Sequence, residues 1–198
     1  MRIIFVRHGK SVGNQYGLIQ GHLDFNLSDE GRKQAVVTAR EIKKIIGRER
    51  PLIFSSDLSR AWETAVIISE QSGLDLPIPD SRLRERNMGM LQNTHWTTID
   101  WEIVNQFEHK VRNLESREKL TERIVGFLRF ILANKSVIGE TVIVVTHGVT
   151  LSHIYHFFLG VDVDKVPHIN NASVNIFTLI KEDREIRGEL HKEGIGRV

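Results

Sequence analysis

Two apolar runs, far apart in the chain, each lead into a histidine that is followed by a glycine. Residues 3–6 come directly before Arg7 and His8, and residues 141–146 come directly before His147. Short runs rich in valine and isoleucine are typical of strands buried on both faces, as in parallel sheets covered by helices. The chain is therefore predicted to form a sheet in which two strands end in histidine.

A third apolar run, residues 52–54, is followed by a polar segment that contains Arg60. The carboxyl ends of parallel strands meet at one edge of a sheet, where ligands bind. We therefore expect four side chains at one rim: Arg7, His8, Arg60 and His147. A guanidinium is a permanently charged, forked donor that suits a phosphate, and an imidazole can attack or donate a proton. Each residue alone is more typical of a core or surface position, but together they indicate a phosphate site.

Strands alternate with helical patterns along the chain, which predicts an α/β fold. We predict a single domain, residues 1–198, with three layers (α/β/α) and a mostly parallel mixed sheet. Capping residues and apolar spacing predict helices over residues 28–47, 56–73, 115–134 and 148–160, with a weaker helix over 96–111. Further strands are predicted at residues 76–78, 173–180 and 185–190, and loops at 10–27 and 83–92.

Composition excludes several classes of protein. The chain has 198 residues, 40% hydrophobic and 26% charged, with a formal net charge of +2. This mild excess falls short of the clustered Lys and Arg of a nucleic-acid-binding surface, and no run is long enough to span a membrane. Cysteine is absent, which excludes disulfides, thiolate metal sites and a cysteine nucleophile. Because the first strand begins at once, we expect no signal peptide, and the lack of cysteine fits a cytoplasmic location. The mild positive charge suits a small phosphorylated substrate.

Beyond the strand ends, the sequence contains short blocks in a fixed order. They are Arg7-His8-Gly9 with Asn14; Gln20-Gly21 with Asp24; residues 55–61 with Thr64; Leu83 and Glu85 with Gly89; Glu115-Ser116 with Arg123; and residues 145–148. Any one block would be a weak signal, but in this order they resemble the histidine phosphatase superfamily, also called phosphoglycerate-mutase-like, over nearly the whole chain.

The resemblance implies a mechanism that agrees with a phosphate site at the rim. His8 would be the nucleophile and would form a phosphohistidine. The phosphoryl oxygens would be held by Arg7, Arg60 and His147, with Asn14 as a further donor. Catalysis of in-line phosphoryl transfer by such groups depends mainly on positioning and charge stabilisation. Since cationic side chains would take the role of a metal ion, we expect no metal or cofactor.

The same resemblance implies that Glu85 is the acid and base of the reaction. It would protonate the leaving oxygen and then activate the water that releases the phosphate. Ser11, Gln20 and Gly21 are further candidate substrate-binding residues, although loop residues of these types are also typical turn formers. Should Glu85 instead be a solvated loop carboxylate, three other acids could serve: Asp24, Asp57 and Asp80.

The acid loop favours a phosphatase over a mutase. Mutases of the family typically carry Glu-Arg-His-Tyr-Gly, whereas residues 85–89 read Glu-Arg-Asn-Met-Gly. Apolar residues follow where a mutase would need extra cations, and Trp96 and Trp101 among them are more typical of a core than of a substrate wall. We therefore expect a metal-independent phosphomonoester phosphatase that acts on a small metabolite, such as phosphoserine, a phosphosugar or a broad range of monoesters.

Three alternatives stay open: a bisphosphoglycerate-dependent mutase, a non-catalytic phosphate-binding module, and a metal-dependent hydrolase that uses several of the nine histidines. His153 and His156 lie at helical spacing, but no His-Glu-x-x-His pattern accompanies them, and we interpret them as structural. Lys10 stands where the family usually has Glu or Gln, and Asn93 and Leu114 stand in place of glycine. A homodimer is compatible with the sequence, which does not determine the oligomeric state.

Overall fold

The computed structural model describes residues 1–182 and 185–195, and its centre is a six-stranded sheet. The strands are β1 (Arg2–Arg7), β2 (Leu52–Ser55), β3 (Ile78–Pro79), β4 (Thr141–Thr146), β5 (Val174–Glu182) and β6 (Glu185–Ile195). Their order in the sheet is β3-β2-β4-β1-β5-β6. The first four are parallel to one another, and β5 and β6 are antiparallel at one edge. The predicted mostly parallel mixed sheet is confirmed.

Helices cover both faces of this sheet. They are α1 (Val12–Gln15), α2 (Asp29–Ile46), α3 (Ser59–Ser72), α4 (Trp101–Gln106), α5 (Arg117–Ala133), α6 (Lys135–Ile138) and α7 (Gly148–Leu159). Successive residues of a strand point to opposite faces. Accordingly, Ile4 of β1 joins the core beneath α2 and α3, whereas Ile3 and Phe5 join the core beneath α5 and α7. The predicted three-layer α/β/α architecture is confirmed.

The predicted helix ends depend on local capping. Ser28 accepts a hydrogen bond from the Gly31 N–H at 3.1 Å and starts α2. Gly73 ends α3 with a φ of 68°, a left-handed conformation that glycine adopts without steric cost. Ser116 caps α5 in the same way as Ser28, and Gly160 ends α7. Capping residues therefore define these ends within one or two residues.

One predicted helix, over residues 96–111, is wrong. This segment consists of a 3-10 turn (Trp96–Thr98), α4, and a second 3-10 turn (Glu108–Lys110). Asp100 accepts a hydrogen bond from the Ile103 N–H at 3.1 Å, which starts a new helix inside the predicted one. Trp96 is 57% exposed and Ile103 is 56% exposed, so the spacing that predicted a buried face does not correspond to a core, and Trp96 is not a core residue.

Smaller corrections concern the ends of other elements. The helix predicted from residue 56 begins at Ser59, because the Asp24 carboxylate accepts a hydrogen bond from the Ser59 N–H at 2.7 Å. The loop predicted over residues 10–27 contains the short helix α1. The edge strand predicted at 76–78 is Ile78–Pro79, and the last two predicted strands are longer than expected, as β5 and β6. Among the described residues, no helix has the length and apolar character needed to cross a bilayer.

Candidate active site

Three neighbouring parallel strands, β2, β4 and β1, bring the predicted residues to one rim. Arg7 lies opposite Thr146 in the sheet, so the residues that follow, His8 and His147, leave adjacent strands side by side. Their rings meet edge to face, with centroids 5.0 Å apart. Both rings are buried, and Arg60 in the first turn of α3 is only 1% exposed. The expected convergence of the strand ends is confirmed.

His8 is held in the tautomer that a nucleophile needs. Its Nδ1 lies 2.6 Å from the Gly9 carbonyl oxygen, which can only accept, so Nδ1 carries the proton. The other ring nitrogen, Nε2, therefore carries a lone pair. Burial, followed by the charges of Arg60 and Arg7, holds the pKa of His8 well below its usual value of 6.5. The imidazole is consequently neutral at physiological pH.

His147 is arranged differently. Its Nε2 lies 2.8 Å from the Ser56 hydroxyl, whose oxygen accepts a hydrogen bond from the Leu58 N–H at 3.3 Å and whose proton has no other acceptor among the described residues. This pattern assigns the ring proton of His147 to Nδ1, which is buried and has no hydrogen-bond partner in the described residues. Burial, then the charge of Arg60, holds the pKa of His147 well below 6.5. His147 is thus a neutral donor without an acceptor.

The two arginines are fixed by backbone carbonyls. Arg7 donates from Nη1 to the Ile169 carbonyl. Arg60 donates from its terminal nitrogens to the carbonyls of Leu23 and Gly21, at 2.9 and 2.8 Å. Burial lowers the pKa of Arg60 to about 10, which still leaves it charged at neutral pH. Arg60 is therefore a buried cation and Arg7 a partly buried one, and both have fixed orientations.

Three buried nitrogens around His8 have no hydrogen-bond partner within the described part of the chain: Arg7 Nε, Arg60 Nε and His147 Nδ1. Buried donors in native proteins are nearly always satisfied, and an exception calls for an explanation such as a bound ion. All three are donors, and two belong to cations. The arrangement suits an anion with several acceptor oxygens, placed beside the lone pair of His8 Nε2.

Glu85 lies at the N-terminus of α7, the helix that begins directly after His147. Its Oε1 accepts hydrogen bonds from the Thr150 N–H and the Arg86 N–H, both at 3.0 Å. The Thr150 hydroxyl lies 3.2 Å from Oε1, but its single proton is directed to the closer Arg84 carbonyl, at 2.9 Å. Oε2 of Glu85 accepts only one, from the Val149 N–H at 3.2 Å. Oε2 is therefore the oxygen with room to hold and transfer a proton. Glu85 and Arg7 line the same cleft.

Arg123 of α5 fixes the backbone of the acid loop. Its guanidinium donates to Glu115 through two nitrogens, at 2.7 and 3.0 Å, and Glu115 in turn accepts from the Asn87 N–H at 3.0 Å. The same guanidinium donates to three carbonyls, those of Arg82, Arg84 and Glu85. Arg123 thus fixes the backbone up to Glu85, and its ion-pair partner Glu115 fixes the backbone at Asn87.

Asn14 is linked to His8 through a shared hydrogen-bond partner, Asn171. Its Oδ1 accepts from the Ser11 N–H at 3.1 Å and from the Asn171 amide at 3.3 Å, and Asn171 also donates to the His8 carbonyl. These bonds fix the Asn14 amide so that its oxygen is engaged. Its nitrogen has no partner among residues 1–182 and 185–195, and it can donate to a bound anion.

The remaining candidate binding residues support the site from within the protein. Ser11 is fully buried, and its hydroxyl lies 2.8 Å from Gln20 Oε1. Gly21 has a φ of +51°, and a Cβ there would lie 2.2 Å from Gln92 Oε1. Its carbonyl accepts a hydrogen bond from Arg60, so the Gly21 backbone helps to fix the orientation of the Arg60 guanidinium. Direct contact of these residues with substrate stays a prediction.

The three alternative acids are engaged elsewhere. Asp24 caps α3 through Ser59. Asp57 forms an ion pair with Arg84, whose hydrogen bonds lower the pKa of Asp57. Asp80 is paired with the arginine two residues later. Their positions leave Glu85 as the carboxylate that lines the cleft.

The departures from the family pattern leave the rim intact. The Lys10 ammonium pairs with Glu30 at 2.7 Å. Asn93 has a φ of 65°, in the left-handed region, which asparagine tolerates better than most residues, so it can replace a glycine there. Leu114 forms an isolated β-bridge with Met88.

Several supporting residues were missed from the sequence. Ser56 and Thr150 lie near strand ends, and the position of Thr150 three residues after His147 was a usable signal, because it places the residue in the first turn of a helix. Asn171 gave no signal, because its role depends on contact with residues far away in the chain. In the described part of the chain, no group of three or more His, Asp or Glu side chains is placed to hold one metal ion.

Comparison with known proteins agrees with this geometry. Residues 3–189 match the model of the histidine phosphatase superfamily (branch 1), and the chain belongs to this family. Phosphoglycerate mutase-like protein 4 of Arabidopsis thaliana is 35% identical, over 92% of this chain and 81% of the relative. The metal-independent phosphoserine phosphatase of the same plant is 35% identical, over 89% and 76%. The structure of a mycobacterial glucosyl-3-phosphoglycerate phosphatase with VO3 superposes with a TM-score of 0.83, at 29% identity over 98% of both chains.

Proposed function

We propose that residues 1–198 form one catalytic domain, a metal-independent phosphatase that hydrolyses small phosphomonoesters through a phosphohistidine on His8. One observation carries the proposal: three buried, unpartnered donors, from Arg7, Arg60 and His147, belong to the site of a neutral His8 whose Nε2 is free. The family supports a phosphoric monoester hydrolase. Relatives named as phosphatases of phosphoserine and of glucosyl-3-phosphoglycerate support a small phosphorylated metabolite as substrate.

The reaction follows from the positions of these groups. Nε2 of His8 attacks phosphorus as the bond to the leaving oxygen breaks, and Glu85 gives its proton to that oxygen. Glu85, now ionised, takes a proton from water, whose oxygen attacks phosphorus and breaks the bond to His8. Inorganic phosphate and neutral His8 are restored. Four donors hold the phosphoryl oxygens throughout: Arg7, Arg60, His147 and Asn14.

The alternative of a mutase has less support. A mutase must hold a second phosphate beside the acid loop, which needs uncommitted cations there. Arg84 is paired with Asp57 at 2.5 Å, and Arg86 is paired with Glu108 at 3.0 Å. These arginines flank Glu85, and both already have a carboxylate partner.

Hydrolysis of phenyl phosphate in excess chelator, by the wild type, His8→Ala and His191→Ala, tests the proposal. His191 is an exposed histidine far from the rim and serves as the matched control. We expect turnover by the wild type and by His191→Ala, and none by His8→Ala. Turnover that survives in His8→Ala would overturn the role of His8. Loss of wild-type activity in chelator would favour a metal-dependent hydrolase, and binding of phosphate without turnover would favour a binding module.

Two finer expectations stay predictions from the sequence. One is a cytoplasmic location, and the other is a homodimer. Neither is needed for the chemistry above, because every residue assigned a role belongs to this one chain.

A further inference from the structure

A second cavity adjoins the catalytic cleft. Val149 and Ser152 of α7 line the catalytic cleft together with Arg7 and Glu85, and they also line a neighbouring cavity of about 390 Å³. Ligand pockets of roughly 300–1,000 Å³ hold small molecules. A phosphomonoester bound at His8 would place its leaving group on the side of Glu85, and the neighbouring space that shares Val149 and Ser152 with the cleft is here named the leaving-group cavity.

The charges that line the leaving-group cavity are already neutralised. Arg86 and Arg117 both donate to the carboxylate of Glu108, at 3.1 and 2.9 Å. Arg117 also donates to Asp164 and to Asn105. Arg86 donates its Nε to a backbone carbonyl. A carboxylate or second phosphate entering the cavity would have to displace these partners, so the lining favours an uncharged group.

Two buried side chains that line this cavity carry a nitrogen without a hydrogen-bond partner among the described residues. One is Arg86, whose Nη2 nevertheless lies 3.0 Å from the Glu108 carboxylate in an ion pair, and the other is His153. His153 is 3% exposed, and its Nε2 has no hydrogen-bond partner in the described part of the chain. Its Nδ1 lies 3.4 Å from the Thr121 hydroxyl, which already donates its proton to the Arg117 carbonyl and can therefore only accept. The ring proton of His153 is thus on Nδ1, and Nε2 is an acceptor. Burial, then the charges of Arg86 and Arg117, lowers its pKa to about 4, so the ring is neutral at physiological pH.

The other walls are apolar. Met88, Trp101, Val149 and Val163 line the cavity. The Trp101 indole N–H donates to the Trp96 carbonyl at 3.2 Å, so the indole contributes its ring surface to the cavity and not its donor. An aromatic surface beside one oriented acceptor suits a ring with apolar faces and hydroxyl groups at its edge.

We propose, as an extension of the proposed phosphatase function, that the leaving-group cavity binds an uncharged, hydroxylated ring of the substrate, as in a sugar phosphate, and that a ring hydroxyl donates to Nε2 of His153. This assigns a substrate class. Phosphoserine and phosphoglycerate, whose leaving groups carry charge, are expected to be poorer substrates.

The test compares kcat/KM for glucose 6-phosphate, phosphoserine, 3-phosphoglycerate and phenyl phosphate. The wild type should prefer glucose 6-phosphate to the two charged leaving groups. In His153→Leu, the ratio of glucose 6-phosphate to phenyl phosphate activity should fall about fivefold to tenfold, the effect of one lost hydrogen bond. His153→Gln, which offers an acceptor oxygen, should restore part of the ratio. His156→Leu, an exposed histidine on the same helix, should keep the wild-type ratio.

Two results would overturn this proposal while leaving the phosphatase in place. One is a wild-type preference for phosphoserine or 3-phosphoglycerate over glucose 6-phosphate. The other is an unchanged ratio in His153→Leu. The wild-type preference is measured without any variant, so the proposal can fail even if a substitution at the buried position 153 prevents folding. Absence of activity on every monoester, phenyl phosphate included, would contradict the phosphatase function itself and this proposal with it.

Discussion

The two sides of the catalytic cleft are positioned by different means. On the phosphate side (Arg7, His8, Arg60 and His147), the two histidines directly follow central strands whose register places them together. On the acid side, Glu85 lies between β3 and α5, in a segment of short helices and turns. There, the Arg123 guanidinium and the Thr150 hydroxyl fix the backbone through hydrogen bonds to the carbonyls of Glu85 and Arg84. Backbone pairing thus positions His8, the proposed nucleophile, and individual side chains fix the segment that carries Glu85, the proposed acid.

This difference has a functional consequence. Damage to the phosphate side should reduce reaction with every monoester, because all share the phosphoryl group. Damage to the acid side should depend on the leaving group, because a good leaving group such as p-nitrophenolate departs without a proton and an alkoxide does not. The ratio of the activity losses on alkyl and p-nitrophenyl phosphates therefore distinguishes a substitution on the phosphate side from one on the acid side.

The largest effect is expected for Arg60→Ala. Loss of this buried cation should lower kcat/KM by about 10²–10³-fold, the range for one oriented donor to a transition state, on alkyl and p-nitrophenyl phosphates alike. Steady-state kinetics on both substrates measures it, with the exposed Arg40→Ala as control. A loss confined to alkyl phosphates would place Arg60 on the acid side and contradict the division of the cleft into these two sides.

A smaller, selective effect is expected for Arg123→Lys. Lysine keeps a positive charge beside Glu115 but cannot reach three carbonyls at once. We expect about a tenfold loss on an alkyl phosphate and little loss on p-nitrophenyl phosphate, as part of the roughly 10²–10⁴-fold that a general acid contributes. If Arg123 acts through Glu85, the loss should disappear in a Glu85→Gln background, since coupled residues are not additive.

Two controls sharpen this experiment. Arg129 is an exposed arginine on the same helix, and Arg129→Ala should leave kcat/KM unchanged on both substrates. Thermal melting of Arg123→Lys reports any general loss of stability. Equal losses on both substrates would show that Arg123 only stabilises the fold.

Acid pH should destabilise the protein through the phosphate side. His8 and His147 have folded-state pKa values well below 6.5 because they are buried. Between the folded pKa and 6.5 the unfolded chain binds more protons, so stability rises with pH there and is lost as pH falls below 6.5. Urea unfolding across this range measures the slope. His8→Asn should reduce the slope of the unfolding free energy against pH, and His191→Asn should leave it unchanged. An equal slope in the wild type and in His8→Asn would contradict the lowered pKa of His8.

The smallest effect is expected for Lys10→Ala. Its ion pair with Glu30 is exposed, with 33% and 58% of the two side chains accessible, and such pairs contribute less than about 1 kcal/mol. The free energy of unfolding, measured in urea, should fall by no more than this amount. The kcat/KM values should stay near those of the wild type on both substrates. A large loss of activity would mean that the departure at this position alters the phosphate side.

The two sides also differed in how well the sequence predicted them. The ends of β1 and β4 followed from apolar runs, because strands buried on both faces leave a clear pattern. Glu85 was placed only by family resemblance, because its segment has no period. The contacts of Ser56 with His147, and of Asn171 with Asn14, join distant parts of the chain and leave no local signal.

The segment before α5 shows the same limit. The helix predicted over residues 96–111 relied on apolar spacing, but Asp100 starts a shorter helix and the apolar side chains of Trp96 and Ile103 face solvent. Spacing predicts structure where a core imposes it. Here Trp101 borders the leaving-group cavity while Trp96 and Ile103 face solvent, so the spacing does not reflect a core.

Trapping the phosphoenzyme tests the central claim most directly. Glu85→Gln should slow the attack of water and allow the intermediate to accumulate during turnover of p-nitrophenyl phosphate. Quenching in base, where a phosphorus–nitrogen bond survives, followed by peptide mass spectrometry, locates the phosphoryl group. We predict one phosphoryl group on the peptide that contains His8, and none in His8→Ala. A phosphoryl group on His147 or His153, or continued turnover without any phosphohistidine, would contradict the account.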